Sequence, residues 1–238
     1  MSHPDLTELR ETVVRANQAL VSSGLVTLTW GNVSGIDRES GLIVIKPSGV
    51  PYGDLRPEHL PLLTLEGEQV AGELRPSSDT KTHLELYRHF PSIGGVVHTH
   101  SPAATAFSQA GRELPCLGTT HADHFSGSVP VAPALTAEEI EADYEHGTGA
   151  GIVKLFEEKG LSPDEIPAVL LQHHAPFTWG KSPAKAVENS IALEMCCRMA
   201  LDSYALNPDT PPIPDHYLSK HHSRKHGPNA YYGQEKKA

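Results

Sequence analysis

The sequence predicts one layered domain of the α/β or α+β class. Three observations carry this. Segments with apolar residues at helical spacing alternate along the chain with short β-rich pieces bounded by Gly, Pro and Asp. The 238 residues can bury a full core without disulfides, and no internal repeat, low-complexity tract or linker divides them. No stretch approaches twenty apolar residues, so a membrane-spanning helix is not expected.

Leu6 to Leu20 carries Leu9, Val13, Ala16 and Leu20 on one helical face and stops near Gly24. Strand-like pieces follow at Val26 to Trp30, Gly41 to Ile45 and Leu60 to Thr64. Asp79 to Phe90 reads as a helix with an acid near its positive end. Gly95 to His100 reads as a strand, and Ala103 to Gln109 as a helix. A helix from Thr136 to Lys159 has acids in its first turn and ends at Gly160, and Ala168 to Gln172 is a short buried strand. Ser182-Pro183 opens a helix that runs through Leu201, with Ser as cap and Pro in the first turn. From Asn207 the chain is rich in Pro and His and reads as disordered.

Composition excludes some classes of function. The formal charge of −10 argues against a general nucleic-acid surface, although a few local donors could still hold an anionic substrate. The three cysteines are Cys116 and the adjacent pair Cys196-Cys197, which reads as reduced and cytoplasmic. The N-terminus lacks the basic-then-apolar order of a secretion signal.

His98-Thr99-His100 ends the apolar run Ile93 to Val97. In an extended strand, residues two apart point to one face, so both imidazoles project side by side and begin a metal site. His174 follows another buried strand and would complete a three-histidine set with one open position, the catalytic zinc arrangement. His173 and His174 cannot both face the metal if the strand continues, and the turn at Ala175-Pro176 favours His174. Asp79 reads either as a loose fourth ligand or as an acceptor that orients a ring.

Three loops together suggest an anion cradle: Trp30 to Ser34, Lys46 to Gly49, and Ser77-Ser78 ahead of a helix. Singly, each is ordinary turn chemistry. The adjacency of Ser77-Ser78 to Asp79 ties the cradle to the metal site. Gly118 to Asp123 is rich in groups that hold or move protons, but alone reads equally as a threonine or Asx turn. The glycines of Gly147 to Gly151 are no dinucleotide fingerprint, because Ile152 stands where the third glycine is needed and the segment follows a helical pattern.

TWGNVSG, IKPSG, PSSDTKTH, PSIGGVVHTHS, TTHADHF, HHAPFTWGK and KHGPNAYYGQ together resemble the zinc-dependent class II aldolase and epimerase family, from about Leu6 to Gln234. The TTHAD and AYYGQ segments resemble its epimerases in particular. The resemblance implies a single three-layer domain with a largely antiparallel central sheet flanked by helices. It implies one Zn²⁺ per subunit on His98, His100 and His174 with Asp79 close by, Mn²⁺ or Co²⁺ being possible substitutes. It implies phosphate contacts from Asn32, Lys46, Ser48, Gly49, Ser77 and Ser78. Asp123 and Tyr232 match two acid/base residues, and Thr119, Glu145, His221 and Arg224 match supporting positions. A homotetramer is implied, with sites between subunits to which the tail (residues 207–238) contributes. Departures from the family pattern are His124 and Ser126 in place of tyrosines, Ala175 in place of a glycine, and Lys81 within PSSDTKTH; none removes a ligand.

The implied reaction is C4 epimerisation of a ketopentose phosphate, L-ribulose 5-phosphate to D-xylulose 5-phosphate, by retro-aldol cleavage and re-addition. No carbonyl adjoins C4, so simple proton abstraction is unsuited, and no nicotinamide motif is present. The nearest alternative is a sugar-phosphate aldolase of fuculose- or rhamnulose-phosphate type on the same scaffold. A non-catalytic interaction module would predict eroded ligands, whereas the histidines, Asp123 and Tyr232 are all present.

Overall fold

In a computed structural model, which describes residues 6–228, 230 and 231, a sheet of order β4-β3-β2-β1-β5-β8-β7-β6 forms the middle layer. Its strands are β1 (Asn32–Asp37), β2 (Leu42–Ile45), β3 (Leu62–Leu63), β4 (Gln69–Ala71), β5 (Gly95–His98), β6 (Val131–Ala132), β7 (Ala168–Leu171) and β8 (Phe177–Gly180). Neighbours are antiparallel except β6 and β7, which run parallel. The helices are α1 (Thr7–Ser22), α2 (Thr80–His89), α3 (Pro102–Gln109), α4 (Thr119–Ala122), α5 (Ala137–Glu158), α6 (Pro183–Leu206) and α7 (Asp215–His226).

Side-chain alternation divides the core into two halves. Ile43, Ile45, Val96, Phe177 and Trp179 pack with Leu84, Tyr87, Ile152 and Phe156 of α2 and α5. Leu42 and Val44 turn the other way toward Val13 and Val14 of α1, and Val33 and Val97 join Leu20 and Val187. Ala168 and Leu170 of β7 pack on α3 and α6. The central strands are thus covered on both faces, so β2 and β7 are unbroken apolar runs. Among the described residues, no helix is long and apolar enough to cross a membrane.

Two local devices fix the ends of the site-bearing elements. The Glu194 carboxylate, buried on α6, accepts the N–H groups of Ala103 (3.1 Å) and Ala104 (3.0 Å) at the start of α3, just after His100. Gly95 lies so close to the start of α6 that a Cβ there would stand 2.4 Å from Pro183 N and 2.6 Å from Ser182 C. Both obstacles are backbone. Gly95→Ala is expected to cost roughly 1–3 kcal/mol, read as a lower urea midpoint; an unchanged midpoint would show that the contact relaxes freely.

Several sequence expectations need correction. Val26 to Trp30 is not a strand: Leu28 has φ +54, a left-handed turn, and β1 starts at Asn32. β5 ends at His98, so His100 lies just past the strand. α6 continues to Leu206, and the region after Asn207 contains the helix α7. Gly118 to Asp123 carries the short helix α4. β8 takes only Phe177–Gly180 of HHAPFTWGK, and Asp143 (φ −173, ψ 97) breaks α5 internally.

Candidate active site

His98 closes β5 on the face shared with α2 and α5, and its ring stacks on that of Phe177, its cross-strand partner, at 4.3 Å. Its Nδ1 donates to the Pro176 carbonyl at 3.0 Å. A carbonyl only accepts, so the proton sits on Nδ1 and Nε2 keeps its lone pair. That Nε2 lies 3.1 Å from Nε2 of His100. The His174 ring completes the group, 4.8 Å from His98 and 5.1 Å from His100 between centroids. It is brought there by a turn after β7 in which His173 takes φ +63.

One nitrogen from each of the three rings lies within 4.8 Å of the others. Two nitrogens about 2.0–2.1 Å from a tetrahedral ion would be about 3.3 Å apart, close to the His98–His100 separation. Burial, followed by the neighbouring imidazoles, lowers His174 to about 4, and burial and His98 lower His100. Both shifts favour the neutral imidazole, the form that can offer a ring lone pair. The donor set fits a divalent cation.

Asp79 stands immediately before α2 and lines the same cleft, outside the three-histidine group. Asn32 Nδ2 donates to its Oδ2 at 2.6 Å and to Ser77 Oγ at 3.0 Å. Burial pushes the Asp79 carboxyl up, the Asn32 N–H draws it down, and the balance lies below its usual range. Behind it, fully buried His83 bonds Ser34 Oγ through Nδ1 at 2.7 Å, and Ser34 bonds Tyr87 at 2.8 Å. Burial drives His83 down to about 3, so it is neutral. The sequence contained His83 within a motif but assigned it no role; no local pattern shows that it reaches Ser34.

The cleft encloses about 590 Å³. Lys46, Ser48, Gly49, Asn32, Ser77 and Ser78 line it together with Asp79, Glu145 and the three histidines. The two serine loops are joined backbone to backbone: Ser48 N donates to Arg75 O at 2.9 Å and Ser77 N to Lys46 O at 3.1 Å. Gly31 (φ +79) passes beneath them, where a Cβ would stand 2.7 Å from His98 O. Lys46 is only 2% exposed. Its amine donates to Pro47 O at 3.4 Å and lies 4.9 Å from the centre of the Tyr52 ring. No ion pair to a carboxylate is seen for it among the described residues, and burial lowers its pKa. The Tyr52 hydroxyl in turn holds the carbonyls of Trp30 and Gly31 at 2.7 and 2.9 Å. Trp30, in the first cradle loop, lines the cleft as that loop suggested, whereas Tyr52 and Tyr144 are bracing or lining residues that sequence reading missed, because their contacts form only through the tertiary fold.

Asp123, His221 and Arg224 form a second group. Arg224 grips the Asp123 carboxylate with Nε (3.1 Å) and a terminal nitrogen (2.7 Å), and His221 Nδ1 adds a third contact at 3.1 Å. Burial raises the Asp123 pKa, but Arg224 and His221 outweigh it, leaving a carboxylate below its usual range. Thr119 accepts the Asp123 N–H through its backbone carbonyl at 3.0 Å. None of these four residues lines the histidine cleft of the same chain. Tyr231 N donates to Arg224 O at 2.9 Å, whereas Tyr232 lies outside the described residues. Of the departures, His124 meets Lys225 Nζ at 3.4 Å and Lys81 pairs with Asp143 at 2.5 Å.

Residues 11–201 match the family described as Class II Aldolase and Adducin N-terminal domain. L-ribulose-5-phosphate 4-epimerase UlaF of Salmonella typhi is 49% identical over 230 residues, spanning 97% of this chain and 100% of that relative. The same-named protein of Salmonella choleraesuis (strain SC-B67) shows the same identity and coverage. Among solved structures, an L-fuculose 1-phosphate aldolase superposes with TM-score 0.79 at 22% identity, over 94% of this chain and 99% of the other. The l-fuculose-1-phosphate aldolase of Thermus thermophilus gives TM-score 0.66 at 25% identity, over 86% and 98%.

Proposed function

The chain belongs to the class II aldolase and adducin family, and from that premise we propose that it is an isomerase converting L-ribulose 5-phosphate to D-xylulose 5-phosphate. The observation that carries this reading is that one cleft holds both the histidine triad and the phosphate-type donors Lys46, Ser48, Ser77 and Ser78. Nearly half of the residues are shared with the UlaF epimerases over almost the whole chain.

Inverting C4 requires that the C3–C4 bond break. The C4 hydroxyl loses its proton, the bonding pair stays with the three-carbon fragment, and glycolaldehyde phosphate is formed. The aldehyde turns, the pair adds to its other face, and the aldehyde oxygen takes a proton. A divalent cation on His98, His100 and His174, zinc being our assignment, would supply Lewis acidity toward the ketone end. Lys46, Ser48, Gly49, Ser77 and Ser78 would hold the phosphate, so the short aldehyde does not escape while it turns. Asn32 would brace Ser77 and Asp79 in place. Reaction on two faces needs a proton-transfer group on each, and Asp123 and Tyr232 are our candidates. Arg224 and His221 keep Asp123 ionised and able to accept a proton, though with less than ordinary carboxylate basicity. As it does not line its own chain's cleft, we assign it to the cleft of a neighbouring copy in a homotetramer, with Thr119, His221 and Arg224 supporting it; Glu145 would act from the cleft itself.

The test is to incubate zinc-loaded protein with L-ribulose 5-phosphate and follow D-xylulose 5-phosphate. Steady conversion is expected. No turnover with zinc shown to be bound would defeat the epimerase reading, and release of free dihydroxyacetone and glycolaldehyde phosphate in place of epimer would make the protein an aldolase.

A further inference from the structure

The three histidines are not held alike. His98 is fixed by a strand, a stacked phenylalanine ring and a backbone carbonyl on Nδ1. His174 sits in a turn next to a left-handed residue, and its Nδ1 faces one side-chain group, the Tyr144 hydroxyl at 3.2 Å. Tyr144 is aimed there by an irregularity. At Asp143 the helix α5 breaks, and a new helical segment starts with Asp143 Oδ1 accepting the His146 N–H at 3.2 Å. Lys81 on α2 holds the other oxygen of Asp143 at 2.5 Å. The Tyr144 ring then stands 6.1 Å from that of His174, at the edge of the cleft.

An imidazole that ligates through one nitrogen must carry its proton on the other. We propose that Tyr144 is the positioning residue of the third ligand: its oxygen accepts from His174 Nδ1–H, which fixes the tautomer and leaves Nε2 as the lone pair for a divalent cation. This rests on the reading of the triad as a metal centre. If the phenol instead donated to Nδ1, the proton would sit on Nε2 and the ring could not ligate in this pose, so the two polarities predict opposite effects of removing the hydroxyl. Phe keeps the ring and its packing while deleting only the oxygen.

The experiment compares wild type, Tyr144→Phe and His98→Asn, stripped of metal and titrated with Zn²⁺ against a chromogenic chelator and with Co²⁺ by visible absorption. For Tyr144→Phe we expect Zn²⁺ affinity about 10- to 100-fold weaker and displaced Co²⁺ bands. The metal-free unfolding midpoint should stay unchanged, which a merely structural loss would not allow. Affinity within about twofold of wild type together with superimposable Co²⁺ spectra would overturn the assignment. So would tighter binding, which is what a donating phenol predicts. If wild type takes up no more metal than His98→Asn, the metal reading itself fails, and the inference fails with it.

Discussion

His98→Asn removes bound metal and turnover together. His98 is the hinge of the triad: its Nε2 meets His100, its ring centre is 4.8 Å from both partners, and its Nδ1 is tied to Pro176. Asparagine is shorter, so its amide cannot reach the point where the three nitrogens converge and also keep the Pro176 contact. Loss of a group that merely orients a ligand weakens metal binding about 10- to 100-fold, and loss of the ligand itself should exceed about 100-fold. The strand should survive, because Val96 and Val97 anchor it in opposite halves of the core. Elemental analysis beside an activity assay reads both effects. A variant with full metal content and full activity would remove His98 from the mechanism.

Asp123→Asn should leave the metal in place and slow turnover by roughly 10²–10⁴-fold, the scale of a lost proton-transfer group. Asparagine preserves the shape that Arg224 and His221 grip but removes the charge and the proton acceptor. The proposed division of the site between copies makes a sharper forecast. In a ring of identical chains joined head to tail, each site would combine one chain's cleft with the next chain's carboxylate. Co-assembling Asp123→Asn with His98→Asn in equal amounts then leaves about one interface in four with both halves intact. Two inactive proteins should together recover about a quarter of wild-type activity. If hybrid assemblies form, as seen by native mass spectrometry, and activity stays absent, the carboxylate belongs to its own chain's cleft and the intersubunit assignment is lost.

What the sequence disclosed followed the range of its physical signals. The strand at Gly95 and the pair His98-Thr99-His100 were legible because strand geometry repeats every second residue, although His100 lies beyond the last ladder position. The helix α1 was legible from its apolar spacing, α5 from the acids of its first turn, and α6 from its cap, since Ser182 does accept the Lys185 N–H, whereas Asp79 ahead of α2 makes no side-chain cap bond. Val26 to Trp30 misled because its apolar and β-branched residues suit a strand, while Leu28 turns left-handed, which composition does not report. α7 was hidden by a Pro- and His-rich context, yet its residues His221 and Arg224 converge on Asp123, about a hundred positions earlier. Tyr144, Tyr52 and His83 were silent for the same reason: each acts through a partner that only tertiary packing brings near. The serine loops were legible as turns, but the backbone bonds joining them across Arg75 and Lys46 were not.

Lys46 has a consequence for the whole molecule. A cation shut away from water without a matching anion raises the free energy of the folded chain. A phosphorylated ligand entering the cleft would supply the missing countercharge while adding its own contacts. Catalytic occupancy and resistance to unfolding are therefore linked, and each increment of bound anion shifts the folding equilibrium by mass action. In a cell rich in its sugar phosphate, this protein would be harder to melt or digest than in a starved one.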